Sequence, residues 1–241
     1  MKLGKTVLGA VAAIVMTGMA QAQDPSGPTT AAMSKLRKIM GQQSMSAKAV
    51  MTFANSMGAS KMGAMEFDMM MSKGKTRMEM DYAKMMATAG AKKGQLPAGM
   101  DKMVIITRPD KKVVYQVIPG FNAYAEMAIP DADGEKADSV KVSRKVEGAE
   151  KVDKFNCERV CNSVTSPDGT TTVVMTWEAK ELGGLPVKIE TVTPEGKMTM
   201  LFKDIKRDTP AASLFEPPAG ATRYESKQQM MKGSMMKMMG Q

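Results

Sequence analysis

The stretch that decides the fold is MEFDMMMSKGKTRMEMDY, residues 65–82. Apolar and charged residues alternate on both sides of its centre, in MEFDM (65–69) and again in RMEMDY (77–82). Side chains of a β-strand point to opposite faces in turn, so a period of two predicts two strands that each have one apolar face. Ser72-Lys73-Gly74-Lys75 between them has the composition of a hairpin turn.

The same period continues over most of the chain, and the connections are short turns such as RPDKK, SPDG and TPEG. Without long helices between the strands, a parallel sheet cannot form its crossovers, and we expect antiparallel pairing in a mainly β fold. The further predicted strands are MVIIT (103–107), VVYQVI (113–118), FNAYAEM (121–127), SVKVSRKV (139–146), FNCERVCNSV (155–164), TTVVMTWEA (171–179), LPVKIETV (185–192) and KMTMLFKDI (197–205).

The N-terminal 22 residues have the pattern of a secretory signal. Lys2 and Lys5 precede an apolar run from Val7 to Met19, and Ala-Gln-Ala follows, which predicts cleavage near Ala22. The run is too short for a membrane helix. We therefore expect an exported protein, most simply in a bacterial periplasm.

The remaining chain divides into a Pro/Gly/Ser linker (23–30), one domain (31–224) and a methionine-rich tail (225–241), which is predicted to be flexible. The domain begins with one short amphipathic helix, Met33–Met40, and Ala83–Gly99 is predicted as a short helix or a mobile flap. As a helix, the tail would combine three lysines with its methionines, which suits peripheral contact with an anionic membrane.

The composition argues against catalysis. The chain has no histidine, which excludes the usual general base, the usual zinc ligand and any Ser-His-Asp arrangement. We predict a protein that is not an enzyme and needs no cofactor. The net charge of +9 includes two signal-peptide lysines, and no arginine-and-aromatic platform for bases is present, so we predict no nucleic-acid partner.

Two cysteines, Cys157 and Cys161, lie four residues apart in a predicted strand. Residues with this spacing point to one face but are separated by about 13 Å, twice the span of a disulfide. They can form a disulfide only if the strand bulges. Two small half-buried thiols and a disulfide are both open interpretations, because export favours oxidation.

Methionine is the unusual residue of this chain, with 29 Met against 6 Phe, 4 Tyr and 1 Trp. Thioethers bind Cu(I), and MxM at Met78 and Met80 suits such a ligand set. The flexible thioether side chain also fills irregular gaps and re-packs around varied apolar guests. The pattern is therefore compatible with a copper site, a lipid cavity or a packed core.

The strand alternation nominates apolar side chains for the lining of a lipid cavity on one concave face, with no metal required. These candidates are Phe53, Met65, Phe67, Met69, Met71, Met78, Met80, Tyr82, Val104, Ile106, Val113, Tyr115, Val117 and Trp177.

Four stretches carry a family resemblance: KGKTRMEMD (73–81), MVIITRPDKKVVYQVIPGFNAYAEM (103–127), WEAKELGGLPVKIET (177–191) and SLFEPPAGATRY (213–224). They resemble an exported bacterial family of unknown function that is similar to the outer-membrane lipoprotein carrier, or LolA-like, superfamily. The resemblance implies a strongly curved antiparallel sheet, an unclosed half-barrel, that takes acyl chains beneath short covering helices.

In the carriers, an arginine on an early strand contacts the lid, and Arg77 is its nearest equivalent here. Because Arg77 alternates with Met78 and Met80, we expect its side chain to face outward. The predicted function is a periplasmic carrier or sensor that binds a lipid or lipoprotein acyl chain in a Met-lined concavity. The alternatives are Cu(I) or Ag(I) binding and a structural envelope role without a ligand.

Overall fold

The computed structural model of the protein describes residues 44–55, 64–88, 98–129, 141–165, 171–193 and 196–238. The predicted signal peptide, the linker and the Met33–Met40 helix lie outside these ranges. Of the predicted Ala83–Gly99 segment, residues 83–88 and 98–99 are described.

Twelve strands in the described part of the chain form one unclosed sheet, in the order β12-β6-β5-β4-β3-β2-β1-β11-β10-β9-β8-β7. The strands predicted from the period of two are confirmed within these ranges, and residues 139–140 of the predicted SVKVSRKV strand lie outside them. The bounds are β1 Met45–Asn55, β2 Met65–Ser72, β3 Lys75–Asp81, β4 Lys102–Arg108, β5 Val113–Ile118, β6 Ala123–Ala128, β7 Lys141–Val152, β8 Phe155–Thr165, β9 Thr171–Ala179, β10 Leu185–Thr193, β11 Gly196–Lys206 and β12 Thr222–Tyr224.

The sheet is mixed, and the prediction of a purely antiparallel sheet is wrong at one edge. β12 pairs in parallel with β6, and Thr222, Arg223 and Tyr224 lie opposite Ala123, Tyr124 and Ala125. The chain returns to this edge through the long connection after β11, which contains the EPPAG segment. A long return of this kind permits parallel pairing without a crossover helix.

Tight turns join several of the consecutive strands. The predicted β2–β3 hairpin is confirmed, and both central residues have positive φ, 49° at Lys73 and 80° at Gly74. Such a pair matches the right-handed twist of the flanking strands. The β4–β5 and β5–β6 hairpins share another design, in which a proline opens a short 3-10 segment and a left-handed residue, Lys112 or Asn122, closes it.

Two α-helices lie in the described ranges, α1 at Tyr82–Thr88 and α2 at Lys227–Met238. Asp81 caps α1, since its Oδ1 accepts a hydrogen bond from the Lys84 backbone N–H at 2.8 Å. Within these ranges, neither helix has the length and apolar character that a membrane crossing needs.

The tail differs from the flexible segment that its composition predicts. Residues 227–238 are helical, and Met230 of α2 is fully buried against Ile118, Ala123 and Ala125. The Ser226 hydroxyl accepts a hydrogen bond from Gln229 N–H at 3.2 Å, which satisfies one of the free donors at the helix start. Ser234 of α2 is also buried, and Met231 packs against the same cluster, so a few small and apolar side chains hold α2, which the low-complexity sequence does not reveal.

The chain divides into two compact units. The first contains Met1–Met40, Met51–Ser60 and Pro130–Phe202, and the second contains Gly41–Val50, Lys61–Ile129 and Lys203–Gln241. In the first unit, strands β8 to β11 bury a core that includes Val160, Val174, Leu185, Ile189, Met198 and Phe202. The second unit carries the two sheet faces described in the next subsection.

Candidate functional site: a charge-free methionine face

Five adjacent strands of the second unit, β2 to β6, present one face without a charged side chain. Opposed residues of an antiparallel pair share a face, so the register assigns each side chain. Phe67 lies opposite Met80, Met69 opposite Met78, and Met78 opposite Ile105. This methionine face comprises Met65, Phe67, Met69, Met71, Thr76, Met78, Met80, Met103, Ile105, Thr107, Val114, Gln116, Ile118, Ala123, Ala125 and Met127.

Burial varies across the methionine face. Met71 and Ile105 are 1% and 2% exposed and belong to the core. Met69 of β2 and Met78 and Met80 of β3 are only partly buried. The more exposed positions of this face are thus largely thioethers, whose rotatable bonds let them adapt to a guest.

The polar groups on the methionine face are few and uncharged. Gln116 is buried, and its Nε2 donates to the Met103 sulfur at 2.9 Å. Thr107 is also buried. A face of this composition offers no counter-charge to an ionic ligand, and apolar surface is what it can bury.

The opposite face of the same strands contains a packed cluster and several ion pairs. Val104, Ile106, Tyr115 and Val117 surround Phe215, which is fully buried. Phe215 ends the 3-10 segment Ala212–Phe215, which covers this side of the sheet. We call this side the arginine face, because two arginines of β3 and β4 hold the covering segment.

Arg77 holds the covering segment through its backbone. Its Nη1 donates to the carbonyl oxygen of Leu214 at 2.8 Å, and its Nε donates to Glu79 at 2.6 Å. The expectation that Arg77 faces outward is wrong, since its side chain is only 16% exposed. Arg77 does point away from Met78, but a segment 137 residues later in the chain covers that side.

Arg108 is the most connected charge of the arginine face, with a side chain 6% exposed. Its Nε and Nη2 donate to both carboxylate oxygens of Asp110, at 2.8 and 2.7 Å. Its Nη1 donates to the Phe215 carbonyl at 3.2 Å and to the Glu216 carboxylate. Lys111 pairs with Glu216 at 3.0 Å. The network closes the covering segment over Phe215.

These contacts shift the titration of all three groups. The hydrogen bonds to Asp110 raise the pKa of the Arg108 guanidinium well above its ordinary value, against the lowering effect of burial. The same contact lowers the pKa of Asp110 to about 2. Burial raises the pKa of Glu216, but hydrogen bonds from Lys111 and Arg108 outweigh it, and the net shift is downward.

We expect acid to weaken the arginine face. A carboxylate whose pKa is depressed in the folded state stabilises the fold above its unfolded pKa, and that contribution is lost as pH falls through the folded value. The stabilisation that ionised Asp110 gives to the fold should therefore be lost as the pH falls from about 4 to about 2. Urea unfolding at several pH values across this window should show that the free energy of unfolding falls with pH less steeply in Asp110→Asn than in wild type. Parallel profiles of the two proteins would contradict this role of Asp110.

The structure divides the fourteen predicted cavity residues and does not bring them onto one face. Met65, Phe67, Met69, Met71, Met78 and Met80 share the methionine face, whereas Val104, Ile106, Val113, Tyr115 and Val117 lie on the arginine face. The second group cannot line the same surface as the first. Because β4 and β5 are apolar on both faces, the sequence does not show which of their residues share a face with the methionines of β2 and β3. That depends on the register between the strands, which the sequence does not give.

The other three predicted residues lie elsewhere. Phe53 is partly buried in β1, in a residue range of the first unit. Tyr82 begins α1, so the strand alternation that nominated it ends at Asp81. Trp177 lies in β9 of the first unit, where its Nε1 donates to Glu150 at 2.8 Å and Lys188 sits 3.9 Å from the ring centroid. These contacts satisfy the indole within the first unit.

Sequence reasoning missed Arg108, Phe215 and Glu216. Arg108 was placed in the turn string RPDKK, and SLFEPP contributed only to the family resemblance. Their roles depend on the contacts that Arg108 makes with Phe215 and Glu216, which lie 107 and 108 positions later in the chain. The signal available in the sequence was a charged residue, Arg108, directly after the apolar run MVIIT.

The cysteines are free thiols, and the strand does not bulge to join them. Cys157 is buried and Cys161 partly buried. Burial raises the pKa of the Cys157 thiol above its ordinary value. Within the described ranges, three or more His, Cys, Asp or Glu side chains nowhere gather into a possible metal site.

No protein-family model matches the chain, and no curated protein matches it in sequence. Three of the similar solved structures illustrate what the comparison found. They are the lipoprotein LppX of Mycobacterium tuberculosis (8% identity, 77% of this chain and 99% of that chain, TM-score 0.40), a LolA superfamily protein of Nitrosomonas europaea (12%, 76% and 94%, 0.33) and LprF of Mycobacterium bovis (13%, 81% and 98%, 0.39).

Proposed function

We propose that the protein is a non-enzymatic periplasmic carrier or sensor that binds a lipid or lipoprotein acyl chain on the methionine face. The observation that carries this proposal is the absence of charge across five adjacent strands whose partly exposed positions include Met69, Met78 and Met80. A face kept only for packing would not need flexible thioethers at its exposed positions.

An acyl chain fits this surface energetically. Each buried CH₂ contributes about 0.8 kcal/mol, so a dozen contribute on the order of 10 kcal/mol before the cost of ordering both partners. Methionine side chains can re-pack around chains of different length and unsaturation. The expected ligand class is therefore broad, with little discrimination between acyl chains.

We expect Met78→Lys to weaken the binding of a fluorescent fatty acid by at least about tenfold, because the charge would be desolvated beside the acyl chain. Met78→Leu should retain binding. Val192→Lys is the matched control, since Val192 is 55% exposed on β10 of the first unit. Fluorescence titration measures all four proteins. Equal affinities of Met78→Lys and wild type would refute binding at this face.

Cu(I) or Ag(I) binding is a second candidate, favoured by one observation. Met69 and Met78 are directly opposed, and Met71 and Met80 occupy the diagonal positions on the same face. Several soft ligands could thus converge. Titration with Cu(I) against a competing chelator should give a tight stoichiometric site that Met69→Leu/Met78→Leu removes. If neither metal nor lipid binds, the structural envelope role is the remaining proposal.

We further propose weak contact of α2 with an anionic membrane. Lys227 and Lys232 are exposed, whereas Met230 is buried against the sheet. Each lysine near anionic lipid contributes about 1 kcal/mol, which predicts salt-sensitive adhesion and not anchoring.

We expect Lys227→Glu/Lys232→Glu to abolish cosedimentation with anionic vesicles at low salt. Lys154→Glu/Lys180→Glu changes the net charge equally at exposed sites of the first unit and should retain most of the binding. Equal loss in both double variants would show that net charge, and not α2, causes adhesion.

A further inference from the structure

The methionine face orders its thioethers by access to solvent. Met65, Met69, Met78, Met80 and Met127 are partly exposed, and of these Met69, Met78 and Met80 lie close together on the paired strands β2 and β3, while Met71 and Met103 are 1% and 7% exposed. The Met103 sulfur also accepts a hydrogen bond from Gln116. Two chemically identical sets of sulfur atoms on one face therefore differ in their access to a small reagent.

We propose that Met69, Met78 and Met80 are oxidation sites, and that their conversion to sulfoxides switches off apolar binding at this face. The loss of binding rests on the function proposed above, whereas the sites of oxidation do not. The oxidant is a hydroperoxide or hypochlorous acid, which reaches exposed thioethers first.

The reaction balances with a hydroperoxide as follows. The thioether sulfur attacks one peroxide oxygen, an S–O bond forms and the O–O bond breaks. The other oxygen leaves as water or alcohol after proton transfer. Sulfur loses two electrons and the peroxide gains two, so no other redox partner is needed. Methionine sulfoxide reductases reverse the product.

The surroundings of these sulfur atoms make the product disruptive. A sulfoxide oxygen needs hydrogen-bond donors, and the methionine face supplies few. Thr107 and Gln116 are buried, and the Gln116 amide already donates to Met103. A sulfoxide at Met78 or Met80 would therefore prefer water and oppose a bound acyl chain.

Limited treatment of the full-length protein with hydrogen peroxide, followed by peptide mass spectrometry, tests the sites. Met236, which is 41% exposed, and Met230, which is fully buried, are the internal references. We expect Met69, Met78 and Met80 to oxidise within a few-fold of the Met236 rate, and Met71, Met103 and Met230 at least about tenfold more slowly. If Met69, Met78 and Met80 are as slow as Met230, the sites are wrong.

The consequence is tested with Met69→Leu/Met78→Leu/Met80→Leu, which keeps the apolar character without a thioether. Peroxide should weaken fluorescent fatty acid binding by wild type at least about tenfold, methionine sulfoxide reductases should restore it, and the triple variant, which retains Met65 and Met127, should be several-fold less sensitive. Equal sensitivity of both proteins would overturn the switch. If untreated wild type does not bind the fatty acid, the proposed function fails and the oxidation map alone decides the modification sites.

Discussion

Phe215→Ala should lower the free energy of unfolding by about 4 kcal/mol. Phe215 is fully buried among Val104, Ile106, Tyr115 and Val117, so the truncation removes a large apolar contact and leaves a cavity. Chemical denaturation followed by far-UV circular dichroism measures the effect.

Two controls accompany this change. Phe215→Leu retains most of the side-chain volume and should lose less than half as much stability. Val192→Ala removes a side chain that is 55% exposed and should change stability by no more than about 0.5 kcal/mol. A loss of under about 1 kcal/mol in Phe215→Ala would mean that the covering segment is not anchored by this ring.

Arg108→Gln should be the second largest destabilisation, about 3 kcal/mol. The change leaves the Phe215 carbonyl without its donor and removes the common partner of Asp110 and Glu216. The two carboxylates are 47% and 40% exposed, so water recovers part of their energy, and the estimate lies at the low end for a broken buried ion pair.

Arg144→Gln is the matched control for Arg108→Gln. Arg144 also pairs with a carboxylate, Glu178, at 2.7 Å, but the Arg144 side chain is 48% exposed, and Glu178, which is 14% exposed, keeps a hydrogen bond from the Thr176 hydroxyl when the arginine is lost. We therefore expect Arg144→Gln to cost about 1 kcal/mol. Arg108→Lys should recover only part of the loss, because an ammonium cannot reproduce the planar fork that joins Asp110 and Glu216. Equal effects of Arg108→Gln and Arg144→Gln would refute a special role for the buried guanidinium.

The strands were predictable because the period of two in MEFDM and RMEMDY gives an apolar face to a β-strand but not to an α-helix. The hairpin at Lys73-Gly74 followed from its turn residues. What could not be predicted was which apolar strand residues share a face. In MVIIT both faces are apolar, so alternation places Val104 and Ile105 on opposite surfaces but cannot say which of them shares a face with Met78.

The arginine face was hidden for a different reason. Arg77 meets Leu214 across 137 residues, and local alternation says only that Arg77 and Met78 point in opposite directions. Whether that direction leads to solvent or to a covering segment depends on the path of the distant chain. The burial of Met230 in α2 was obscured in the same way by a low-complexity composition.

Residue-level photocrosslinking tests the methionine face most directly as the acyl-binding surface. A fatty acid carrying a terminal diazirine would be bound, irradiated and mapped by peptide mass spectrometry. We expect saturable adducts at Met69, Met78 and Met80, suppressed by excess unlabelled fatty acid. Saturable adducts at Val104, Ile106 or Tyr115 instead, or no saturable adduct at all, would contradict acyl binding at the methionine face.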